Sequence, residues 1–595
     1  MATRMKPVDA VIVGFGWTGA IFAKELTDAG LTVVALERGG PRNTDPDFQP
    51  GRIHDELAYA VRHQLMQDVS RETITFRNTP DQVALPMRQL GSFLPGEGVG
   101  GAGVHWNGQT WRFLPTDFRL RSHVTERYGR DAVPDGMTVQ DWPVSYDELE
   151  THYDRFEQIC GTSGKAGNLR GQVVAGGNPF EGARSRDYPT PPQKTTLAQL
   201  MFARAAESLG YHPFPQPSSN LSQPYTNPYG VAMGGCMYCG FCERFGCEVN
   251  AKASPQASVL PALANQAKFQ LRTRSQVLKV NLDSSRRHAT GVTYVDALGR
   301  EFEQPAEMVV LAAFGMNNVH LMLLSGIGEP YDAKTGRGVV GRNYAYQIMS
   351  SVGLFFDDRS FNPFMGSGAL GTVIDDANGD NFDHSGLGFI SGGYIIAAQT
   401  GARPIQSQSV PEGTPRWGTE WKRAVKYWYG RQMGIGTHGA VTSHRANYLD
   451  LDPTYKDAWG RPLLRLTFDY HDNEVRMSDY LTGVAEKIGR AMNPTHLTIS
   501  RPKHPYSIVP YQTTHNTGGA IMGADPRTSA VNRYLQSWDV SNVFVLGASA
   551  FPQNAGYNPT GTVGALTYWS VEAIKRAYLK SPGPMAQAQA EGPGP

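Results

Sequence analysis

The stretch that most constrains the fold of this chain is VDAVIVGFGWTGAIFAKELTDAGLTVVALERG, which begins at Val8. The apolar run at residues 10–13 is typical of a buried parallel strand. Apolar residues then recur at helical spacing, at Ala20, Ala23, Leu26 and Ala29, and Gly30 can end that helix. A second apolar run, at residues 31–36, completes a β-α-β unit. The sequence therefore predicts an α/β fold that starts with a Rossmann-like unit.

Glycines occupy the turn between the first strand and the helix in the pattern G-x-G-x-x-G. We expect Gly14 to permit the tight turn, Gly16 to let backbone amides approach a pyrophosphate, and Gly19 to let helix and strand pack closely. The helix N-terminus adds partial positive charge for the phosphates. Glu37, after the second strand, can accept hydrogen bonds from an adenosine ribose. These residues predict a dinucleotide site, and the alternative is an α/β unit that binds nothing.

The same glycine pattern occurs twice more, as GVGGAG at residues 98–103 and as GIGTHG at residues 434–439. Neither copy has the full context of strand, turn, helix, second strand and acidic residue. We therefore expect the dinucleotide at the first copy. The motif by itself leaves NAD and FAD open.

Composition argues against several classes of partner. Hydrophobic residues make up 40% of the chain and charged residues 18%, and the net charge of +1 favours neither nucleic acid nor an anionic membrane. No apolar run reaches the roughly 18 residues that span a bilayer. The basic start followed by an apolar run resembles a secretory signal, but it enters the glycine motif without a cleavage-like end, so we expect any export to depend on another chain. We expect residues 581–595 to be a disordered tail.

Four of the five cysteines lie within one short segment, GGCMYCGFCERFGCEVNAKAS, spaced C-x2-C-x2-C-x4-C. They are Cys236, Cys239, Cys242 and Cys247. Disulfides gain little stability from such short loops, and the run is tight for a zinc site built from two ligand pairs. Compact runs of this kind are typical of iron–sulfur ligation by thiolates. The fifth cysteine, Cys160, is expected to be a buried apolar residue.

Four further stretches resemble the glucose–methanol–choline (GMC) family of FAD oxidoreductases, in the order in which that family has them. They are LPGEGVGGAGVHWNGQTWRFLPTDF from Leu94, LAAFGMNNVHLMLLSGIG from Leu311, TTHNTGGAIMG from Thr513, and DVSNVFVLGASAFPQNAGYNPTGTVGALTYWS from Asp539. Within the family, the arrangement is most similar to the flavoprotein large subunits of bacterial membrane-bound sugar and sugar-acid dehydrogenases, the gluconate and 2-ketogluconate members above all.

The resemblance implies an α/β fold of two domains. A discontinuous, Rossmann-like FAD-binding domain would comprise residues 1–115, 235–345 and 525–580, with the cysteine-rich segment 234–254 included. Residues 116–234 and 346–524 would form the substrate-binding domain and its insertions, built on an antiparallel sheet, as the alternating stretch PLLRLTFDY suggests. The segment from Trp417, WGTEWKRAVKYWYGRQM, is expected to be a half-buried helix, and contact with a membrane or partner is the alternative.

Oxidation of an alcohol by a flavin needs a base for the hydroxyl proton and a group that steadies the developing alkoxide. The resemblance implies His515 as the base and Asn558 as its partner. The alternatives are a histidine satisfied in the core and a turn residue before Pro559. Further cofactor contacts are implied along the flavin and the adenosine, at Gly100, Gly101, Val277, Gly547, Ala548, Pro559 and Thr560.

In the related large subunits a His-Trp pair carries a covalent bond to the flavin, and His105 with Trp106 resembles that pair. The alternative is a histidine near the flavin without a bond. The related subunits also hold a three-iron cluster on three cysteines, which implies an iron–sulfur cluster here, with 3Fe-4S favoured and four-iron open. The match of CEVNAKAS favours Cys247 and Cys242, together with Cys236 or Cys239.

The resemblance implies an FAD-dependent dehydrogenase that oxidises a secondary alcohol of a sugar acid, gluconate or 2-ketogluconate. Electrons would pass through the cluster to a multihaem cytochrome c subunit, and a small subunit with a twin-arginine signal would carry the chain to the periplasmic face of the inner membrane. A fructose, sorbitol or glucose dehydrogenase of the same type remains open. An oxygen-using oxidase and a non-enzymatic electron-transfer protein are rivals that the cysteines and the His515–Asn558 pair disfavour.

Overall fold

The protein is described from a computed structural model, which covers residues 2–49 and 51–585. Most of the C-terminal tail expected at residues 581–595 therefore lies outside the described residues. None of the helices in the described ranges is long and apolar enough to cross a membrane.

A five-stranded parallel sheet carries the N-terminal glycine motif. In spatial order its strands are Phe269–Arg272, Val33–Leu36, Val8–Val13, Glu301–Leu311 and Val543–Val545. Residues 10–13 and 33–36 are buried throughout, as expected for strands covered on both faces. The helix Trp17–Asp28 follows the glycine turn and packs against the helix Thr560–Ala573 near the end of the chain. The helix after the glycine turn and a helix near the end of the chain, which are far apart in the sequence, are therefore neighbours in the fold.

The strand Glu301–Leu311 belongs to two sheets. Its second half lies in the parallel sheet, whereas its first half pairs with an antiparallel meander, Ala289–Val295 and Gln276–Leu282. The short strand Thr3–Arg4 runs parallel beside it. This shared strand connects the meander rigidly to the sheet that carries the glycine motif.

A six-stranded antiparallel sheet forms the second layer. In spatial order its strands are His496–Ser500, Gln347–Phe355, Gln432–Ala440, Gly393–Thr400, Gly366–Ile374 and Phe214–Pro215. The helix Asp472–Ala491 covers this sheet with Met477, Leu481, Ala485 and Ile488, which share one helical face and are fully buried. The sheet supplies several side chains to the site described below.

Smaller sheets and further helices complete the fold. A four-stranded sheet contains Tyr448–Lys456, Pro462–Thr467, Thr75–Arg77 and Leu85–Pro86. Two-stranded ribbons pair Tyr225–Thr226 with Ala232–Met233 and Asn168–Leu169 with Gln172–Val173. The other helices of eight residues or more are Leu120–Tyr128, Tyr146–Cys160, Leu197–Ser208, Gly315–Ser325 and Gly418–Trp428. Short helical turns lie at Thr44–Asp47, Leu57–Val61, Ala102–His105, Pro115–Arg119, Arg130–Ala132, Pro255–Ser258, Leu260–Leu263, Ala548–Ala550 and Ile574–Tyr578.

The expected fold class, a Rossmann-like unit with an antiparallel sheet, is confirmed. The helix after Trp417 forms, but of its residues only Trp428 is buried, and Trp417 itself is 83% exposed. The GIGTHG copy of the glycine pattern lies within the strand Gln432–Ala440, so it does not form the turn between a strand and a helix that a dinucleotide site requires.

Candidate functional site

One cavity joins the N-terminal glycine turn to the C-terminal motifs and brings most of the predicted site residues together. The predicted residues that line it are Gly14, Gly16, Glu37, Gly101, His105, Trp106, Val277, His515, Gly547, Ala548, Asn558, Pro559 and Thr560. Gly19 and Gly100, also predicted, do not line it. A Cβ at Gly19 would lie 2.2 Å from the Gly14 carbonyl oxygen, and one at Gly100 would collide with the Gln256 side chain. The four clustered cysteines do not line the cavity.

The glycine turn has the geometry that a pyrophosphate requires. Gly14 has φ +94°, and a Cβ there would lie 2.8 Å from the Ala312 carbonyl oxygen, so a side chain is excluded by both strain and space. A Cβ on Gly16 would meet nothing closer than the Gly100 oxygen at 3.9 Å, which leaves open space above the helix N-terminus. This cradle of backbone amides fits the phosphates of a dinucleotide.

Glu37 lies at the same end of the cavity and is held by the backbone. Its carboxylate accepts hydrogen bonds from the backbone N–H groups of Phe15 (3.0 Å), Gly39 (2.9 Å) and Gly98 (3.3 Å). Burial raises the pKa of Glu37, and the three N–H groups oppose that rise. A carboxylate has about four acceptor positions, so about one is left after these three hydrogen bonds.

His515 and Asn558 line the same cavity, with Nε2 of His515 3.0 Å from Nδ2 of Asn558. Gln347 fixes the tautomer of His515. The amide nitrogen of Gln347 donates to the carbonyl oxygens of Ala555 (3.0 Å) and Tyr557 (2.7 Å), so its oxygen must face Nδ1 of His515. Nδ1 therefore carries the proton, and Nε2 presents its lone pair to Asn558. The imidazole is ready to accept a proton at Nε2.

Burial lowers the pKa of His515 well below its usual value, and the neighbouring His438 lowers it further. The sequence did not single out His438, which lies in the strand Gln432–Ala440. Its ring centroid lies 5.3 Å from that of His515. Burial lowers the pKa of His438 to about 3, and a hydrogen bond with Asn558 opposes part of that fall. The hydroxyl of Tyr394, from the adjacent strand, lies 2.9 Å from the Asn558 amide oxygen.

His105 is buried against the same cavity, with 4% of its surface exposed, and its Nε2 finds no hydrogen-bond partner among the described residues. Burial, and secondly the charge of Lys252, lowers the pKa of His105 to about 3, so the imidazole is neutral and nucleophilic. The indole N–H of Trp106 donates to the carbonyl oxygen of Ala253 (2.8 Å). The turn therefore presents a free imidazole nitrogen to the space where a cofactor ring fits.

The cysteine segment folds into a tight loop beside this turn. All four of its cysteines are free thiols; Cys242 is buried and the other three are half-buried. Backbone N–H groups of Tyr238 and Lys252 donate to the sulfurs of Cys236 and Cys247, both at 3.4 Å. Burial raises the pKa of the Cys242 thiol, which donates to the side-chain oxygen of Asn220 at 3.4 Å. Burial raises the pKa of the Cys236 thiol to about 12.

In the described part of the chain, no group of three or more His, Cys, Asp or Glu side chains is arranged to hold a single metal ion. The segment supplies four thiols, two of which accept N–H···S hydrogen bonds, and this donor set suits iron–sulfur ligation. Cys160 is fully buried in the core, as expected.

Comparison with known proteins gives consistent results. Two sequence profiles described as GMC oxidoreductase match residues 190–349 and 443–567. The chain is 53% identical to the gluconate 2-dehydrogenase flavoprotein of Pantoea cypripedii, over 99% of this chain and 97% of that protein. It is 26% identical to the 2-methyl-1,2-propanediol dehydrogenase of Mycolicibacterium austroafricanum, over 97% of each chain. It is 25% identical to the fructose dehydrogenase large subunit of Gluconobacter japonicus, over 96% of this chain and 99% of that one.

Two solved structures share the fold. Formate oxidase of Aspergillus oryzae superimposes with a TM-score of 0.57 at 15% identity, covering 97% of this chain and 100% of that chain. Pyridoxine 4-oxidase from Mesorbium loti superimposes with a TM-score of 0.55 at 15% identity, covering 96% and 99%. At that identity the likeness extends to the fold alone.

Proposed function

The chain belongs to the GMC oxidoreductase family as an FAD-dependent dehydrogenase, and from that premise we propose that it oxidises a secondary alcohol of a sugar acid, gluconate or 2-ketogluconate. The observation that carries the proposal is the pair formed by Nε2 of His515 and Nδ2 of Asn558, 3.0 Å apart in the cavity that the glycine turn also lines. The full-length identity to a gluconate 2-dehydrogenase flavoprotein supports the substrate class.

The His515–Asn558 pair is suited to hold an alcohol. A substrate hydroxyl bound beside the pair would replace their direct hydrogen bond: it would donate its proton to Nε2 of His515 and accept a hydrogen bond from Nδ2 of Asn558. As the proton moves to Nε2, the amide N–H steadies the alkoxide that develops. Gln347 holds the neutral imidazole in the tautomer with a free Nε2, because its own N–H groups are committed to two backbone carbonyls and only its oxygen can face Nδ1. FAD, when bound, supplies the acceptor for the hydride of the carbinol carbon.

Residues along the cavity would hold that FAD. The amides around Gly14 and Gly16 would bind the pyrophosphate, Glu37 the ribose, and Gly547 and Thr560 would flank the ring system. We also propose that His105 is covalently bonded to the flavin, which the neutral imidazole with its unpartnered Nε2 supports. If the bond exists, acid-precipitated protein keeps its yellow colour; if all the colour is released into the supernatant, the bond does not exist.

We propose that the cysteine segment holds an iron–sulfur cluster, 3Fe-4S in type, through Cys247, Cys242 and either Cys236 or Cys239. Electrons would leave through it to a multihaem cytochrome c subunit on the periplasmic face of the inner membrane, where a small subunit with a twin-arginine signal would bring the chain. Support comes from the contact between sites: the backbone N–H of Arg244, within the cysteine segment, donates to the His105 carbonyl oxygen at 2.7 Å.

A substrate panel tests the proposed activity. Purified protein is offered gluconate, 2-ketogluconate, fructose, glucose and sorbitol with an artificial electron-accepting dye, and the same reactions are repeated with oxygen as the sole acceptor. We expect dye reduction with a sugar acid and little hydrogen peroxide. Faster turnover with a neutral sugar would replace the proposed substrate class, and peroxide formed at the rate of substrate oxidation would identify an oxidase.

A further inference from the structure

A fully buried lysine near the end of the cysteine segment contacts the His105–Trp106 turn. Lys252 is 2% exposed, and its Nζ donates to the carbonyl oxygens of Cys242 (2.7 Å), Phe245 (2.7 Å) and Trp106 (2.8 Å). An ammonium has three N–H donors, whereas a neutral amine has two. Three acceptors at these distances therefore form a site for the charged form of the side chain.

This charge lacks the partner that buried lysines usually have. The hydrogen-bond acceptors of its Nζ within the described ranges are the three carbonyl oxygens, and none of them is a carboxylate. A buried charge without a counter-ion is strongly unfavourable. Such a charge therefore requires an anion close by, and none of the hydrogen bonds that it makes with the described residues supplies one.

The lysine is also fixed in the loop that carries those cysteines. Its backbone N–H donates to the sulfur of Cys247 at 3.4 Å, while its side chain holds the carbonyl oxygen of Cys242. Its bond to the Trp106 carbonyl joins the loop to the turn beside His105. The position of the charge is therefore set by both segments, and solvent does not screen it.

We propose that Lys252 is the built-in counter-charge of an anionic, thiolate-ligated iron–sulfur group in the cysteine segment, and that it raises the reduction potential of that group. The inference rests on the proposed cluster. Each electron that enters such a group makes it more negative, and a fixed cation nearby stabilises the reduced form more than the oxidised form. In a site closed to water this attraction is far stronger than at the surface.

The alternative is that Lys252 merely ties three carbonyl groups together. Three variants separate charge from shape: Lys252→Met removes the charge and all donors, Lys252→Gln removes the charge but keeps two donors, and Lys252→Arg keeps the charge. Lys268→Met is the matched control, because Lys268 is an exposed lysine whose Nζ bonds one carbonyl oxygen, that of Gly30. It loses the same charge at a surface where salt screens it.

The measurements are iron content per chain and a redox titration followed by electron paramagnetic resonance. We expect wild type, Lys268→Met and Lys252→Arg to have similar midpoint potentials, and Lys252→Gln and Lys252→Met to have lower ones. Loss of iron in both neutral variants but not in Lys252→Arg would equally support a required counter-charge. Unchanged potentials in iron-loaded neutral variants, or iron loss in all three Lys252 variants, would overturn the proposal.

Wild-type protein is analysed for iron first. If it reduces its flavin with substrate but contains no iron after expression under iron-replete conditions, the cluster and the role of Lys252 both fail while the dehydrogenase activity stands. If it contains iron and the Lys252 variants match it in potential, only the role of Lys252 fails. The two failures are therefore distinguishable.

Discussion

Replacing Gln347 with methionine tests whether the tautomer of His515 is imposed by its surroundings. The side chain of Gln347 is fully buried and makes three hydrogen bonds, one accepted from His515 and two donated to backbone carbonyls. Methionine is of similar size but can make none of these bonds. Leaving two buried carbonyls unpaired costs about 1–3 kcal/mol each, so we expect the free energy of unfolding to fall by roughly 2–6 kcal/mol.

The effect on catalysis should be smaller than removal of the base itself. Without Gln347, His515 loses one hydrogen bond, worth about 0.5–1.5 kcal/mol, that favours the tautomer with a free Nε2. We therefore expect flavin reduction to slow by up to about tenfold. Removing a general base typically costs about 10²–10⁴-fold. Anaerobic stopped-flow absorbance of the flavin, at saturating substrate, measures the rate directly.

Asn542→Leu is the matched control for this experiment. Asn542 is also buried and also donates to two backbone carbonyls, those of Ala289 (2.7 Å) and Glu307 (2.8 Å), but it does not line the cavity. We expect it to destabilise the fold and to leave the rate of flavin reduction unchanged. A Gln347→Met protein that is folded and reduces its flavin at the wild-type rate would refute the tautomer argument.

Three more predictions concern the cavity residues and the cysteine segment. His515→Ala should slow flavin reduction by about 10²–10⁴-fold and keep its iron. Cys247→Ser should still bleach its flavin with substrate but lose electron transfer to the cytochrome. Normal turnover by Cys247→Ser with its natural acceptor would show that the cysteines are structural. Because the pKa of His515 lies well below its usual value of about 6.5, the stopped-flow rate should be constant from about pH 8 to about pH 6.5 and decline only in more acidic buffers. Burial lowers the pKa of His438 in the folded protein to about 3, whereas in the unfolded chain it has its usual value of about 6.5. As the pH falls, the unfolded chain is therefore protonated first, and the stability that depends on neutral His438 is present above about pH 6.5 and is lost towards about pH 3. Chemical denaturation at several pH values should therefore show wild type losing about 1.4 kcal/mol more per pH unit than His438→Asn within that window, and parallel pH profiles would count against the buried neutral histidine.

Local patterns predicted the first β-α-β unit closely, because its signals lie within one short stretch. The expected strand at residues 10–13 is the buried part of Val8–Val13, and the expected helix ends one residue early, with Ala29 as its C-cap. The second strand begins at Val33 rather than at residue 31. Thr32 lies outside it because its side chain and backbone N–H bond Asp9 at the turn.

The surroundings of His515 could not be predicted in the same way. Gln347, Tyr394 and His438 come from three different strands of the six-stranded sheet, and each faces the site only because of the strand register. His438 pairs with Met349 on one side and Tyr394 on the other, and a shift by one residue would turn its side chain to the opposite face. No local motif records such a register. The one pattern present, GIGTHG around His438, resembles a nucleotide loop and is a strand.

The burial of Lys252 has no local sequence signal for a related reason. From the sequence, a lysine next to four cysteines is predicted to be an ordinary exposed charge, because lysine is rarely buried. Its burial depends on the carbonyl of Trp106, which lies in a segment far away in the chain. The three acceptors become visible only when both segments are folded together.

The central claim, that this site oxidises a sugar acid through FAD, is tested most directly by anaerobic titration of the oxidised protein with gluconate. The flavin absorbance is recorded as substrate is added, and a parallel titration uses sorbitol. Oxidation of one carbinol delivers two electrons, so we predict that the flavin bleaches with gluconate. Because the proposed substrate is a sugar acid, we predict that sorbitol has little effect. A flavin that stays oxidised with gluconate and with 2-ketogluconate, but bleaches with a neutral sugar, would contradict the account.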